Sequence, residues 1–290
     1  MQALLGALCF SLMGLMVQRT NGTYSESFLL ISRALAGIIL LGFFYRATIS
    51  SLFRRNALHV WQRSFFGAIS VGIYFLNLRE TTIGIATILA DLAPVLVVLM
   101  LIFKGAEPIR PWALLGALTC VAGISLLASP NWADLSASVV LTGTLGALAG
   151  ACAYISLKKA TKSFSTGLIV WAFSVGLLVF GVVAAFVGTR SNFLILNSFP
   201  LIGLVTLSLL AQWLMTLSYK NLPTSIASCA GLTACVWGVL VDVFFLHVSL
   251  SLNTLVSIGL IFIGVVVVQV FGSQATVRRV QAPTAVVVSS

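Results

Sequence analysis

The chain is predicted to be an all-α polytopic membrane protein, with ten transmembrane helices forming two inverted five-helix repeats. Three observations predict this. Of its 290 residues 60% are hydrophobic and only 8% charged, at a mean hydropathy of +1.12, whereas a soluble domain carries about a quarter charged residues. The apolar residues gather into about ten runs, each close to the roughly 20 residues that cross a bilayer. Finally, the stretch from Arg79 to Leu127 returns 141 positions later as Lys220 to Val268, without a gap: Ala93 falls on Ala234, Val95 on Val236, Phe103 on Phe244 and Gly123 on Gly264. Five spans per repeat is an odd number, so the two copies enter the membrane in opposite senses, the arrangement on which alternating access is built.

The first span runs from about Gln2 to Val17 and starts without a basic leader, which favours a retained helix over a cleaved signal peptide. Ala3, Ala7 and Ser11 place small residues one turn apart along it, suited to close helix contact. Span 2 covers about Phe28 to Tyr45 and contains Arg33, with Glu26 expected as a first-turn acid after Ser25. The segment Arg46 to Arg63, with Arg46, Arg54, Arg55 and Arg63, is the most basic in the chain and is assigned to the cytoplasm by the positive-inside rule. Spans 3 (about Trp61 to Leu78), 4 (about Thr82 to Phe103) and 5 (about Trp112 to Leu127) complete a first repeat over residues 1–130. The turn ASPNWADLSAS marks the boundary.

Residues 131–272 hold spans 6 to 10: about Val139 to Leu157, Gly167 to Val187, Pro200 to Tyr219, Pro223 to Phe245 and Leu252 to Phe271. Gly146 and Gly150 form a GxxxG in span 6, a helix-contact motif with no bearing on function. Residues 273–290 read as a loose cytoplasmic tail. Of the sixteen Lys and Arg, about twelve fall on the side of the N-terminus and three (Arg19, Arg79, Arg190) on the other, so both termini are expected in the cytoplasm and the protein in the inner membrane. The net charge of +10 is therefore a topology signal and calls for no nucleic-acid partner. The five cysteines all fall in apolar spans without paired spacing and read as packing residues; no metal or cofactor is expected.

Asp91 is the sharpest feature. It lies near the middle of span 4, where a charge costs on the order of 3 kcal/mol on insertion scales. Pro94 has no N–H to give the carbonyl of Ala90, so a helix break is expected there and another near Pro223, and Thr87 shares the face of Asp91 one turn earlier. Two readings stand: a cavity carboxylate, which midplane depth favours, or a structural carboxyl paired with Arg33 or held protonated. Depth alone also makes Asp91 the group through which transport would be coupled to protons. Arg33 suits a bidentate hold on a carboxylate or phosphate, a pair with Asp91, or a snorkelling role. Asp242 lies near the outer end of span 9, as cavity residue or interfacial charge. Tyr74, Asn77, Tyr154, Gln212, Trp213, Thr216, Thr233 and Trp237 are amphipathic residues at depths suited to lining a cavity or to packing.

With ISRALAGIILL around Arg33, TTIGIATILADLAPVLVVLM around Pro94, and Glu107 followed by WALLGALTCVAGISLL, the chain resembles the drug/metabolite transporter superfamily, specifically the EamA-type ten-helix transporters. The resemblance covers about Gln2 to Phe271 and implies a secondary transporter for a small organic metabolite, with a central cavity between the halves and both termini in the cytoplasm. As Arg33 belongs to that pattern, a structural role is favoured for it. The second half departs from the pattern: Cys235 stands in the proline's place, and Val248 beside His247 in the glutamate's. Glu107, between Lys104 and Arg110, reads as a surface cluster or a gate contact.

The expected function is thus movement of an amino acid-like or similar amphoteric solute across the cytoplasmic membrane, by efflux and alternating access. The alternative is an uptake carrier for a nucleoside-like or cofactor metabolite, or a non-transport scaffold. No phosphate-binding glycine loop indicates ATP drive. An intramembrane enzyme would need a clustered nucleophile and base, yet His59 and His247 are expected on opposite sides of the membrane and neither HExxH nor GxSxG occurs.

Overall fold

The structure is a computed structural model and describes residues 1–20, 23–81, 83–103, 111–128, 136–187, 198–247 and 251–281. Among these the regular structure is helical: α1 (Gln2–Arg19), α2 (Glu26–Tyr45), α3 (Leu58–Glu80), α4 (Ile83–Ala90), α5 (Leu92–Phe103), α6 (Pro111–Ala128), α7 (Ala137–Ala160), α8 (Thr166–Val187), α9 (Ser198–Asn221), α10 (Thr224–Gly231), α11 (Thr233–Leu246) and α12 (Leu252–Gln281). α4 with α5, and α10 with α11, are single spans broken in the middle, so the twelve helices form the ten expected rods. Glu107 with its neighbours Lys104 and Arg110, the boundary turn at 129–135, Arg190 and Val248 lie outside the described residues.

Helix ends obey local chemistry. The Ser25 hydroxyl accepts the Phe28 N–H at 3.2 Å, and the Ser136 hydroxyl accepts that of Val139 at 3.4 Å, starting α2 and α7. Glu26 opens α2 as expected, and its carboxylate is 3.0 Å from the Arg79 guanidinium at the end of α3. Pro111 starts α6, where a missing N–H costs nothing. Hydroxyls that face outward bond back to their own helix, as Thr119 does to the Leu115 carbonyl (2.8 Å) and Thr206 to Ile202 (2.9 Å), which satisfies them where no water is available. Large apolar side chains such as Ile39, Phe43, Phe186 and Phe199 stand exposed around the bundle, a surface that suits lipid.

Two elements differ from the sequence reading. The helix breaks fall at Asp91 and Leu232, rather than at Pro94 and Pro223. Pro94 sits in the first turn of α5 and Pro223 just before α10, both places where proline is tolerated because the N–H would be orphaned anyway. The breaks are nevertheless 232 − 91 = 141 residues apart, the repeat offset itself. The second difference is α12, which continues past Phe271 to Gln281. Its extension GSQATVRRVQ contains no Pro and a single Gly, Gly272, and Pro283 follows.

The rods pack in pairs: α1 on α9, α3 on α7, α2 on α8 and α6 on α12, while α4 lies against α11 and α5 against α10. The α6–α12 contact is reciprocal. A side chain at Gly123 would meet Ser257 and Ile261, and one at Gly264 would meet Gly116 and Cys120; each partner lies 141 positions from its counterpart. Only glycine lets the backbones come this close. In the same way Gly146 of the GxxxG faces Ile73, and Gly150 faces Ala93 and Ser70.

A Cβ at Gly264 would stand 2.5 Å from the Gly116 carbonyl oxygen, whereas one at Gly259 on the same helix would meet nothing within 4 Å. Gly264→Ala is expected to lower stability by about 1–3 kcal/mol, and Gly259→Ala to leave it unchanged or raise it slightly. Thermal unfolding of the two variants in detergent checks this.

Candidate functional site: a cavity at the crossing of two broken helices

The breaks place Asp91 and Leu232 at the centre of the bundle, and a cavity opens beside them. With its open mouth and the solvent space there included, it spans about 1000 Å³. Its walls come from the N-terminal two-thirds of α1, the stretch of α3 from Arg63 to Tyr74, both breaks, and the C-terminal parts of α7 and α9. The cavity therefore extends from the crossing toward the end of the bundle that bears the start of α1. The opposite end is filled by a cluster including Leu15, Val17, Leu29, Leu30, Leu78 and Ile83.

At the crossing, Asp91 Oδ2 accepts the backbone N–H of Cys235 at 3.2 Å. Cys235 is the third residue of α11, so its N–H has no intrahelical carbonyl, and Asp91 serves that helix as a cap from another span. Ser11 of α1 donates to the Ala234 carbonyl at 2.9 Å, and the Cys235 thiol donates to the Leu232 carbonyl at 2.8 Å. Thr87 Oγ1 is 3.4 Å from the Tyr74 hydroxyl across the same wall.

The polar part of the far wall is built around Arg63. Its Nη2 donates to Gln212 Oε1 at 3.0 Å, its Cζ lies 4.5 Å from the Phe173 ring centroid, and its Nε has no partner among the described residues. Close by, Tyr154 and Tyr219 stack at 5.3 Å, and the Tyr219 hydroxyl is 2.8 Å from Ser228 Oγ. Lys158 donates to the Tyr219 and Leu222 carbonyls at 2.9 and 2.6 Å, holding the end of α9 in place. The remaining lining is apolar, with Phe10, Met13 and Val71 prominent.

Of the residues singled out in the sequence, Asp91, Thr87, Pro94, Tyr74, Tyr154 and Gln212 line this cavity. Arg33, Asn77, Trp213, Thr216, Thr233, Trp237 and Asp242 do not. Arg33 is only 1% exposed, neither paired with Asp91 nor reaching for the surface; its Nη1 points at Met13 Sδ, 3.6 Å away, between the Phe75 and Phe173 rings. Asn77 ties α3 to α7 by accepting from Thr142 at 3.2 Å. Thr233 bonds the Ala230 carbonyl, Thr216 and Asp242 are buried, Trp213 is half-buried, and the Trp237 indole N–H is buried without a partner among the described residues.

Arg63 is the residue that the sequence reading placed elsewhere, in the basic cytoplasmic segment. It lies within α3 and is 3% exposed. A signal was present: Arg63, Gly67, Ser70 and Tyr74 recur at helical spacing and all line the cavity. No group of three or more His, Cys, Asp or Glu that would hold a metal occurs among the described residues.

Residues 1–129 match the model of the EamA-like transporter family, as the resemblance in the sequence implied. The chain is also 23% identical over 271 residues to an uncharacterized transporter from each of two Helicobacter pylori strains, J99 and 26695, covering 89% of this chain and 90% of theirs. A solved crystal structure shares the fold at a TM-score of 0.74 and 17% identity, over 97% of this chain and 98% of the other. These matches make residues 1–129 similar to the EamA-like transporter family, and the chain as a whole similar to these transporters in sequence and to the solved structure in fold.

Asn at position 91 can still accept the Cys235 N–H, while Leu cannot. Asp91→Leu is therefore expected to be less stable than Asp91→Asn, by the roughly 1–3 kcal/mol cost of an unsatisfied buried donor. Equal melting temperatures of the two purified variants would show that the cap across the crossing contributes nothing.

Proposed function

We propose that the protein carries a small amphoteric organic solute across the cytoplasmic membrane by alternating access to this cavity. The observation that carries the reading is Asp91 at the crossing of two broken spans, where one carboxylate both lines the cavity and holds the start of α11. A group that serves solute and scaffold at once links occupancy of the cavity to the packing of α4 and α5 against α10 and α11. The 141-residue offset between the breaks, and the reciprocal contact of Gly123 and Gly264, support two similar halves that open in turn to either side.

The same geometry supports a direction. The cavity extends toward the end of the bundle where α1 begins, which the charge pattern assigns to the cytoplasm. A solute loaded from that side leaves the cell. Proton coupling through Asp91 completes the proposal, since a carboxyl at the crossing can take a proton on one side and release it on the other.

The test expresses the intact protein, Asp91→Asn and an empty control in the same cells and compares metabolites in cytosol and medium without choosing a solute beforehand. The expected result is a solute depleted inside and enriched outside with the intact protein, and at least tenfold less movement with the variant. A solute accumulated inside would reverse the direction. An Asp91→Asn protein that moves the solute as fast, with the same pH dependence, removes Asp91 from both coupling and mechanism.

A further inference from the structure

The buried cations of the bundle are not all accounted for. Arg79 has Glu26, and Lys158 has two helix-end carbonyls. Arg33 is walled in by side chains away from the cavity. Arg33 and Arg63 both make no ion pair among the described residues and each keeps a buried nitrogen without a partner there, but of the two only Arg63, 3% exposed, lines the cavity. Among the described residues its hydrogen-bond acceptor is the neutral amide oxygen of Gln212, and its Nε has none. A guanidinium carries five N–H donors in a rigid fork matched to a carboxylate. Burying one without an anion is costly, and the Phe173 ring 4.5 Å away offsets only part of that.

Resting on the carrier reading above, we propose that Arg63 is the docking point for a carboxylate on the transported solute. Gln212, already bonded to the guanidinium, orients it, and the hydroxyl pair of Tyr219 and Ser228 supplies further donors at the same end of the cavity. Asp91 lines the same cavity and accepts the Cys235 N–H, whereas an ionised carboxylate has about four acceptor sites. It faces the cationic group of the solute, and Phe10, Met13 and Val71 supply apolar wall for the solute's side group. The solute class is then an amino acid-like zwitterion with an apolar side group. Arg33, the arginine that the sequence pattern brings forward, takes no part in binding.

The experiment measures thermal stabilisation of the purified full-length protein in detergent by a fixed panel of common amino acids and short organic acids, each beside its own amide. Intact protein, Arg63→Lys and Arg63→Gln are compared. At least one acid is expected to stabilise the intact protein, with its amide binding about 10- to 100-fold more weakly, the loss expected for a charge-assisted pair. Arg63→Gln should erase the difference between acid and amide, and Arg63→Lys, which keeps the charge but loses the fork, should retain part of it. Should Arg63→Gln fail to give a monodisperse protein, Arg63→Lys decides: a preference for acids undiminished from the intact protein overturns the assignment. So does an intact protein that treats acids and amides alike, or is stabilised by no acid. A solute identified by the cell comparison that carries no carboxylate overturns the Arg63 assignment and leaves the carrier reading standing; a cell comparison in which nothing moves counts against the carrier reading instead.

Discussion

Two spans that break at their centres create a problem that the rest of the bundle is arranged to solve. A break in hydrocarbon frees backbone N–H and C=O groups that have no water to turn to, at several kcal/mol each. Here a freed N–H of α11, that of Cys235, is met from outside its own helix by Asp91, and Ser11 of α1 donates to the Ala234 carbonyl in the same turn. The neighbours must therefore be held in register, which explains why the outer pairs pack so closely. α6 and α12 meet backbone to backbone at Gly123 and Gly264, and α7 meets α3 and α5 at Gly146 and Gly150.

Electrostatics follows from that scaffold. Two arginines bracket one aromatic ring, with Arg33 Cζ 5.8 Å and Arg63 Cζ 4.5 Å from the centre of Phe173. A cation over a ring face gains roughly 0.5–2 kcal/mol, so Phe173 partly stabilises both. Only one of the two opens on the cavity; Arg33 is 1% exposed, with Met13, Phe75 and Phe173 around its guanidinium. Identical side-chain chemistry thus serves packing in one place and is left available to a ligand in the other.

The ten rods were legible because run length and hydropathy respond to the bilayer alone, and those runs match the helices within a few residues at most ends. Asp91 was legible because a carboxylate in the middle of an apolar span has few explanations. The positions of the breaks were not. A proline draws attention to itself, yet Pro94 and Pro223 sit where helices accept proline, and what breaks the spans is the three-dimensional crossing. Arg63 was hidden by its neighbours, since Arg46, Arg54 and Arg55 made the segment read as a loop although its own spacing with Gly67, Ser70 and Tyr74 was helical. The surroundings of Arg33 depend on rings delivered by α3 and α8, and its exclusion from the cavity had no local signature.

The central claim is that one cavity serves both faces of the membrane in turn. The most direct measurement replaces the five native cysteines, introduces a single cysteine at Ser70 in the cavity wall, and labels it with a membrane-impermeant maleimide in right-side-out and inside-out vesicles. Labelling of that one position from both sides, suppressed from each side by the solute, is the predicted result. Labelling confined to one side, under every condition in which the protein moves solute, would contradict the account.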